Sequence, residues 1–347
     1  MNRIRTLIVD DSASIRAVLA RILSADPEIE VVGQAPEPNT ARQMIKDLEP
    51  DVITLDVEMP GMDGLSFLER IMRLRPMPVV MCSTLTARGA AVTIEALRLG
   101  AVDYIAKPSG NAEELMRDAA LLRQKVKAAA RSTVRATSSA TPGTAAMPAR
   151  ATENMVIAVG ASTGGVEALF TLLAAMPVNC PPIVIVQHMP GAFTGSFADR
   201  LDRTCRIAVK EAQDGQPIVA GTAYIAPGGD RHMELVGGTS ANGCIRLRAG
   251  ELVSGHRPSV DVLFHSAAKR GPGAVGVILT GMGSDGADGL LAMRAAGAHT
   301  FGQSRESCVI YGMPRAAFEL GAVEREKGLA ALPEAILAAC SDLTRVH

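Results

Sequence analysis

Near the middle of the chain runs a stretch, AAARSTVRATSSATPGTAAMPARAT (residues 128–152), that no hydrophobic core can use. Seventeen of its 25 residues are Ala, Ser or Thr, none is acidic, and one Val and one Met are its larger aliphatic side chains. Such a segment buries too little apolar area to offset the entropy lost on ordering, so it reads as a linker. Pro142, Gly143 and Pro148 confine any alanine-rich helix to its first few residues. The 347-residue chain therefore divides into a first domain over 1–125, a linker over 126–152 and a second domain over 153–347.

Charge narrows the function classes. The net charge is −1, and each flanking half carries slightly more acid than base, so nucleic acid is not an expected partner. Six scattered cysteines without a CxxC pair suit reduced thiols in a cytoplasmic protein rather than a disulfide framework or a zinc site. The longest apolar strings, such as PPIVIV at 181–186, fall far short of a membrane span, so no membrane insertion is expected. A monomer is expected.

Both halves alternate short β-branched runs with helical patterns. The fold class this implies is α/β, two domains that each hold a mainly parallel sheet flanked by helices. In the first half the strands read TLIVD (6–10), EVVGQA (30–35), VITLD (52–56), PVVMCS (78–83) and DYIAK (103–107). In the second they read MVIAVG (155–160), IVIVQ (183–187), TAYIAP (222–227), IRLR (245–248) and AVGVILT (274–280).

Several first-half strands end in polar residues: Asp10 and Asp11, Asp56, Ser83 and Lys107. The carboxyl ends of parallel strands share one edge, where ligands bind. Three carboxylates there call for a cation, and hard oxygen ligands suit Mg²⁺. A lysine and a hydroxyl on the same rim suit a phosphoryl group, so the set reads as an aspartyl-phosphate site. With VDDS (9–12), LDVEMPGMDG (55–64), Ser83–Thr84 and AKPS (106–109), residues 3–125 resemble the flavodoxin-like receiver domain of response regulators. The resemblance implies Asp56 as phosphate acceptor, Mg²⁺ bound by Asp11 and Asp56 with Asp10 in support, Ser83 and Lys107 on the phosphoryl group, and Tyr104 as a switch aromatic.

In the second half, VIAVGASTGG (156–165) ends a strand in glycines around Ser162. A dinucleotide fingerprint needs Gly at the third position, where Ser162 stands, and an acid about twenty residues on, which is missing. The same residues read Gly160-x-Ser162-x-Gly164, a sharp turn that exposes a nucleophile. His188 follows the next strand, and Asp285 lies in the loop after AVGVILT. Ser162 would attack a carbonyl, His188 would take and return the proton, and Asp285 would orient the imidazole. His256 is a rival base and Asp288 a rival orienting acid, and a binding-only adaptor domain stands as the alternative from another class. The order Ser…His…Asp differs from that of α/β-hydrolases, so that fold is not implied.

GASTGG, QHMP, AYIAPGGDRHMEL (223–235), HRPSVDVLFHS (256–266), LTGMGSDG and CVIYGMP (308–314) resemble the doubly wound catalytic domain of the CheB family of chemotaxis methylesterases. The resemblance implies hydrolysis of glutamyl methyl esters on chemoreceptors with release of methanol, and deamidation of receptor glutamines. It implies a triad of Ser162, His188 and Asp285, with Thr163 and the backbone N–H of Met282 at the oxyanion. No cofactor is implied for hydrolysis; a chemotaxis histidine kinase is implied as phosphodonor. Ser284 stands where the family commonly has Asn, and the role of His256 and Arg257 does not follow from the residues.

Overall fold

The computed structural model describes residues 3–59, 64–84, 86–107, 112–132, 154–237 and 243–342. Two compact units divide at Ser139–Ala140. Parts of the quoted motifs, residues 60–63 and 108–109, and most of the linker, residues 133–152, lie outside the described residues.

In the first unit, strands β1 (Ile4–Val9), β2 (Ile29–Ala35), β3 (Val52–Asp56), β4 (Val79–Ser83) and β5 (Asp103–Ala106) alternate with helices α1 (Ala13–Ser24), α2 (Pro38–Leu48), α3 (Gly64–Leu74), α4 (Ala87–Arg98) and α5 (Ala112–Ala130). The sheet is parallel, in the order β2-β1-β3-β4-β5. β3 and β4 are buried along their whole length, which is why they read as nearly continuous apolar runs. The strand order reverses between β1 and β3, so a crevice opens where Asp10 and Asp56 emerge.

The second unit begins with β6 (Val156–Ala161), α6 (Gly165–Ala174), β7 (Ile183–Gln187), α7 (Gly191–Thr204), β8 (Ala208–Glu211) and β9 (Thr222–Ile225). A hairpin of β10 (Arg231–Val236) and β11 (Cys244–Ala249) follows, then α8 (Val260–Ala268), β12 (Ala274–Ile278), α9 (Ala287–Ala295), β13 (His299–Gln303), α10 (Met313–Glu319), β14 (Arg325–Lys327) and α11 (Leu332–Asp342). The seven-stranded sheet is parallel throughout, in the order β14-β13-β12-β6-β7-β9-β8. Its switch point lies between β12 and β6.

One strand expectation is corrected. IRLR (245–248) is not part of the parallel sheet but pairs antiparallel with β10. Its pattern gives the reason: Ile245 is buried, while Arg246 and Arg248 face solvent, the alternation of a ribbon wetted on one side. The hairpin is anchored on α8, where Leu235 N donates to Ser266 Oγ at 2.8 Å. Among the described residues no helix is long and apolar enough to cross a membrane, and all six cysteines are free.

Candidate active site

The second unit's site is built from three adjacent strand ends. β6 delivers Ser162, β7 delivers His188, and the loop leaving β12 delivers Asp285. Ser162 N donates to Thr280 O at 3.1 Å, and His188 N donates to Ala161 O at 3.0 Å, which continues the ladder past the strands. Gln187 adds a brace: its Nε2 donates to Ser162 O at 2.9 Å and to His188 O at 3.2 Å. The turn after Ser162 needs glycine at 164. Its φ is +78°, and a Cβ there would lie 2.6 Å from Val309 Cβ.

His188 Nε2 and Asp285 Oδ2 are 2.8 Å apart, with the imidazole buried beside a fully buried carboxylate. The other ring nitrogen, Nδ1, is buried and has no hydrogen-bond partner. The Ser162 hydroxyl likewise has no partner among the described residues. The Gly281–Met282 segment passes directly beside the serine, for a Cβ on Gly281 would come within 2.8 Å of Ser162 Cβ. Thr163 is buried, its carbonyl accepting from Thr280 Oγ1 at 3.0 Å. The backbone N–H of Met282 has no hydrogen bond among the described residues.

Asp285 is held from the other side by the start of α8. Its Oδ1 accepts from Ser259 Oγ at 2.7 Å and Asp261 N at 3.1 Å, and its Oδ2 accepts from Val260 N at 2.8 Å. The motif HRPSVD, whose role the sequence alone does not give, is thus the cradle of this carboxylate. Burial opposes ionisation of Asp285, but the His188 interaction, Val260 N–H and Ser259 hydroxyl outweigh it and hold its pKa at about 2. The neighbouring Asp261 is pushed upward, by burial first and by the charge of Asp285. Ser259 is fixed in turn by His232, whose Nδ1 accepts from Ser259 N at 3.1 Å while its Nε2 donates to Glu251 O at 2.7 Å.

Ser259 and His232 escaped sequence reasoning. The only signal was HRPSVD itself, a Ser at the N-cap position with an acid in the first turn of a helix. Of the rivals, Asp288 is exposed on α9, whereas Asp285 is the acid on His188. His256 lies against the His188 ring rather than in its place.

In the first unit, oxygens of Asp10, Asp11 and Asp56 all lie within 4.8 Å of one another. Lys107 Nζ stands 3.0 Å from Asp10 Oδ2 and 2.8 Å from Asp56 Oδ2. One ammonium against three carboxylates leaves an excess of negative charge among hard oxygen donors, a set that fits Mg²⁺. Asp56 is pushed upward, chiefly by burial, with the charge of Asp10 adding to it and Lys107 opposing. Ser83 is fully buried at the adjacent strand end, its hydroxyl donating to Thr84 O at 3.1 Å. Tyr104 is buried, with Lys125 Nζ 4.6 Å above its ring.

Comparison with known proteins places each unit in a family. The CheB methylesterase family model matches residues 157–336, and the response regulator receiver model matches residues 6–120. Protein-glutamate methylesterase/protein-glutamine glutaminase 1 of Caulobacter vibrioides is 56% identical across 97% of this chain and 98% of its own length. The protein-glutamate methylesterase/protein-glutamine glutaminase of Agrobacterium fabrum is 54% identical across 96% of this chain and 95% of its own. The crystal structure of the Thermotoga maritima CheB methylesterase catalytic domain is 36% identical, with a TM-score of 0.51, over 53% of this chain and 98% of that domain.

Proposed function

The chain belongs to the CheB methylesterase family, and from that premise we propose that Ser162, His188 and Asp285 are the residues with which it hydrolyses glutamyl methyl esters. It is a protein-glutamate methylesterase that also deamidates glutamines. The observation that carries the assignment is the 2.8 Å contact from His188 Nε2 to a buried, ionised Asp285, which leaves Nδ1 for the serine.

The chemistry runs in two halves. Ser162 Oγ attacks the ester carbonyl while His188 Nδ1 takes its proton. The carbonyl oxygen, now negative, is met by the N–H of Met282 and by Thr163. Collapse breaks the C–O bond to the methoxy group, which leaves as methanol with the proton from His188. Water then gives a proton to His188 and attacks the acyl-serine, and release returns Ser162 and a glutamate side chain. With a glutamine substrate the same steps expel ammonia. Asp285 stabilises the imidazolium formed twice in each cycle without taking its proton.

The domain division follows the linker, with a receiver over 1–125 and the esterase over 153–347. In the receiver, Asp56 is the phosphorylated residue and Lys107 and Ser83 contact the phosphoryl oxygens. Asp10, Asp11 and Asp56 would hold Mg²⁺, which neutralises charge at the phosphoryl group. The partners are a chemotaxis histidine kinase as phosphodonor and methyl-accepting chemoreceptors as substrate, met in the cytoplasm. The unphosphorylated receiver obstructs the esterase, and phosphorylation relieves this through a population shift.

Methanol release from methylated receptor, by wild type and Ser162→Ala with and without a small phosphodonor and Mg²⁺, tests the reading. Release that disappears with the serine and rises with the phosphodonor is expected. Release that survives in the alanine variant would place the chemistry elsewhere. A fragment lacking residues 1–150 that is no faster than the unphosphorylated whole would refute obstruction.

A further inference from the structure

His188 carries a second histidine on its face. The rings of His188 and His256 are stacked, with centroids 3.7 Å apart and planes 8° from parallel. His256 is held in place independently of that contact. It closes a two-residue hairpin, with His256 N donating to Val253 O at 2.9 Å and Val253 N to His256 O at 3.1 Å. The two linking residues, Ser254 and Gly255, have φ of +52° and +79°, the conformation a tight type I′ turn requires. Arg257 clamps the same loop from its other end, through Nε to Gly229 O at 3.0 Å and Nη1 to Gly250 O at 2.6 Å. Ser254 Oγ donates to Asp261 Oδ2 at 3.1 Å, and Asp261 N donates to Asp285. The loop that presents His256 is therefore tied to the carboxylate system that grips His188.

We propose that His256 is a positioning residue for the hydrolytic reaction, a fixed flat wall that holds the His188 ring in the plane where Nε2 meets Asp285 and Nδ1 is left for Ser162. The inference rests on the reading of Ser162 and His188 as nucleophile and base. The need for such a wall follows from geometry. A hydrogen bond to one ring nitrogen fixes that atom but lets the imidazole pivot about it, because χ2 of histidine is a broad torsion. Nδ1 of His188 has no bond of its own to stop the pivot. A stacked ring removes that freedom without drawing on either nitrogen. It also places a π face beside the imidazolium formed in each half of the cycle.

The test compares full-length wild type with His256→Ala, His256→Phe and Ser162→Ala, in Mg²⁺ and a small phosphodonor, by methanol release from methylated receptor membranes. In His256→Ala, kcat should fall roughly 10- to 100-fold with KM within about twofold, the size of loss that a slightly misplaced catalytic group causes. His256→Phe keeps a flat ring in the stack and should restore kcat to within about threefold of wild type. A second readout is the downfield proton resonance of His188 Nε2–H on Asp285, expected sharp in wild type and the Phe variant and broadened in the Ala variant. Should His256→Ala fail to fold, His256→Leu replaces it, since leucine fills the space without a flat ring and should show the same kcat loss.

An unchanged kcat in the Ala variant, a loss confined to KM, or a Phe variant as slow as Ala would overturn the proposal. The last of these would give the ring nitrogens a direct part in the reaction. If Ser162→Ala is inactive while His256→Ala is fully active, the positioning role alone fails. If Ser162→Ala remains active, the reading beneath it fails and takes the positioning role with it.

Discussion

Each unit sets an aspartate at the switch point of a parallel sheet, yet the two carboxylates are in opposite electrostatic states. Asp56 shares one lysine with Asp10 and is pushed upward by burial and by its acidic neighbour. Asp285 receives a hydroxyl, two backbone N–H groups at a helix start and an imidazole, and is held down at about 2. The difference suits the roles proposed for them. A carboxylate that is to take a phosphoryl group is served by few donors and by a surplus of negative charge that draws in a cation. A carboxylate that is to orient a base must already be fully bonded, so that it stays charged and still. One architecture therefore serves both, and the donors set around each carboxylate decide which.

The most direct way to break this comparison is to make one substitution at both places. Asp285→Asn should lower methanol release by about 10⁴-fold, since the asparagine cannot hold the imidazole in the right tautomer. It should also destabilise the second unit at neutral pH by an amount on the order of 2 kcal/mol. Because Asp285 is depressed from its ordinary 3.8 to about 2, this contribution is complete above about pH 4 and is lost as pH falls toward 2. The gap in denaturant midpoint between the two proteins should close across that window and nowhere else. Asp56→Asn should do the reverse to stability: in Mg²⁺-free buffer it removes a burdened charge and raises the receiver's stability by about 1 kcal/mol. It should abolish phosphodonor activation while leaving basal methanol release unchanged. Equal and same-signed stability changes at the two sites would show that the contrast is not electrostatic.

A milder break removes one donor from Asp285. Ser259→Ala deletes both a hydrogen bond to the carboxylate and the side-chain cap of α8, with an expected cost of about 2 kcal/mol in stability and roughly tenfold in kcat. That donor is also where reading the sequence ran out. Asp10, Asp56, Ser162, His188 and Asp285 stand out because each ends or closely follows a long apolar run, and buried parallel strands produce such runs. β8, β13 and β14 do not stand out, being short and partly polar, and neither does β10, half of a wetted ribbon. The service of Ser259 to a carboxylate 26 residues away, or of His256 to a ring 68 residues before it in the chain, depends on where α8 lands on the sheet. No local pattern encodes that landing. HRPSVD shows a helix start, and only the fold shows what the helix start holds.

The smallest expected effect is the control that sharpens the contrast most. Asp288 lies three residues beyond Asp285, in the first turn of α9, and is exposed. Its chemistry is the same and its distance along the chain trivial, but its charge is solvated and its favourable interaction with the helix N-terminus is screened. Asp288→Asn should cost about 0.5 kcal/mol or less, shrinking further in high salt, and should leave methanol release within experimental scatter. If instead it approached Asp285→Asn in either measure, the orienting acid would have to be shared between the two, and the donor shell around Asp285 would lose its claim to set the state of the site.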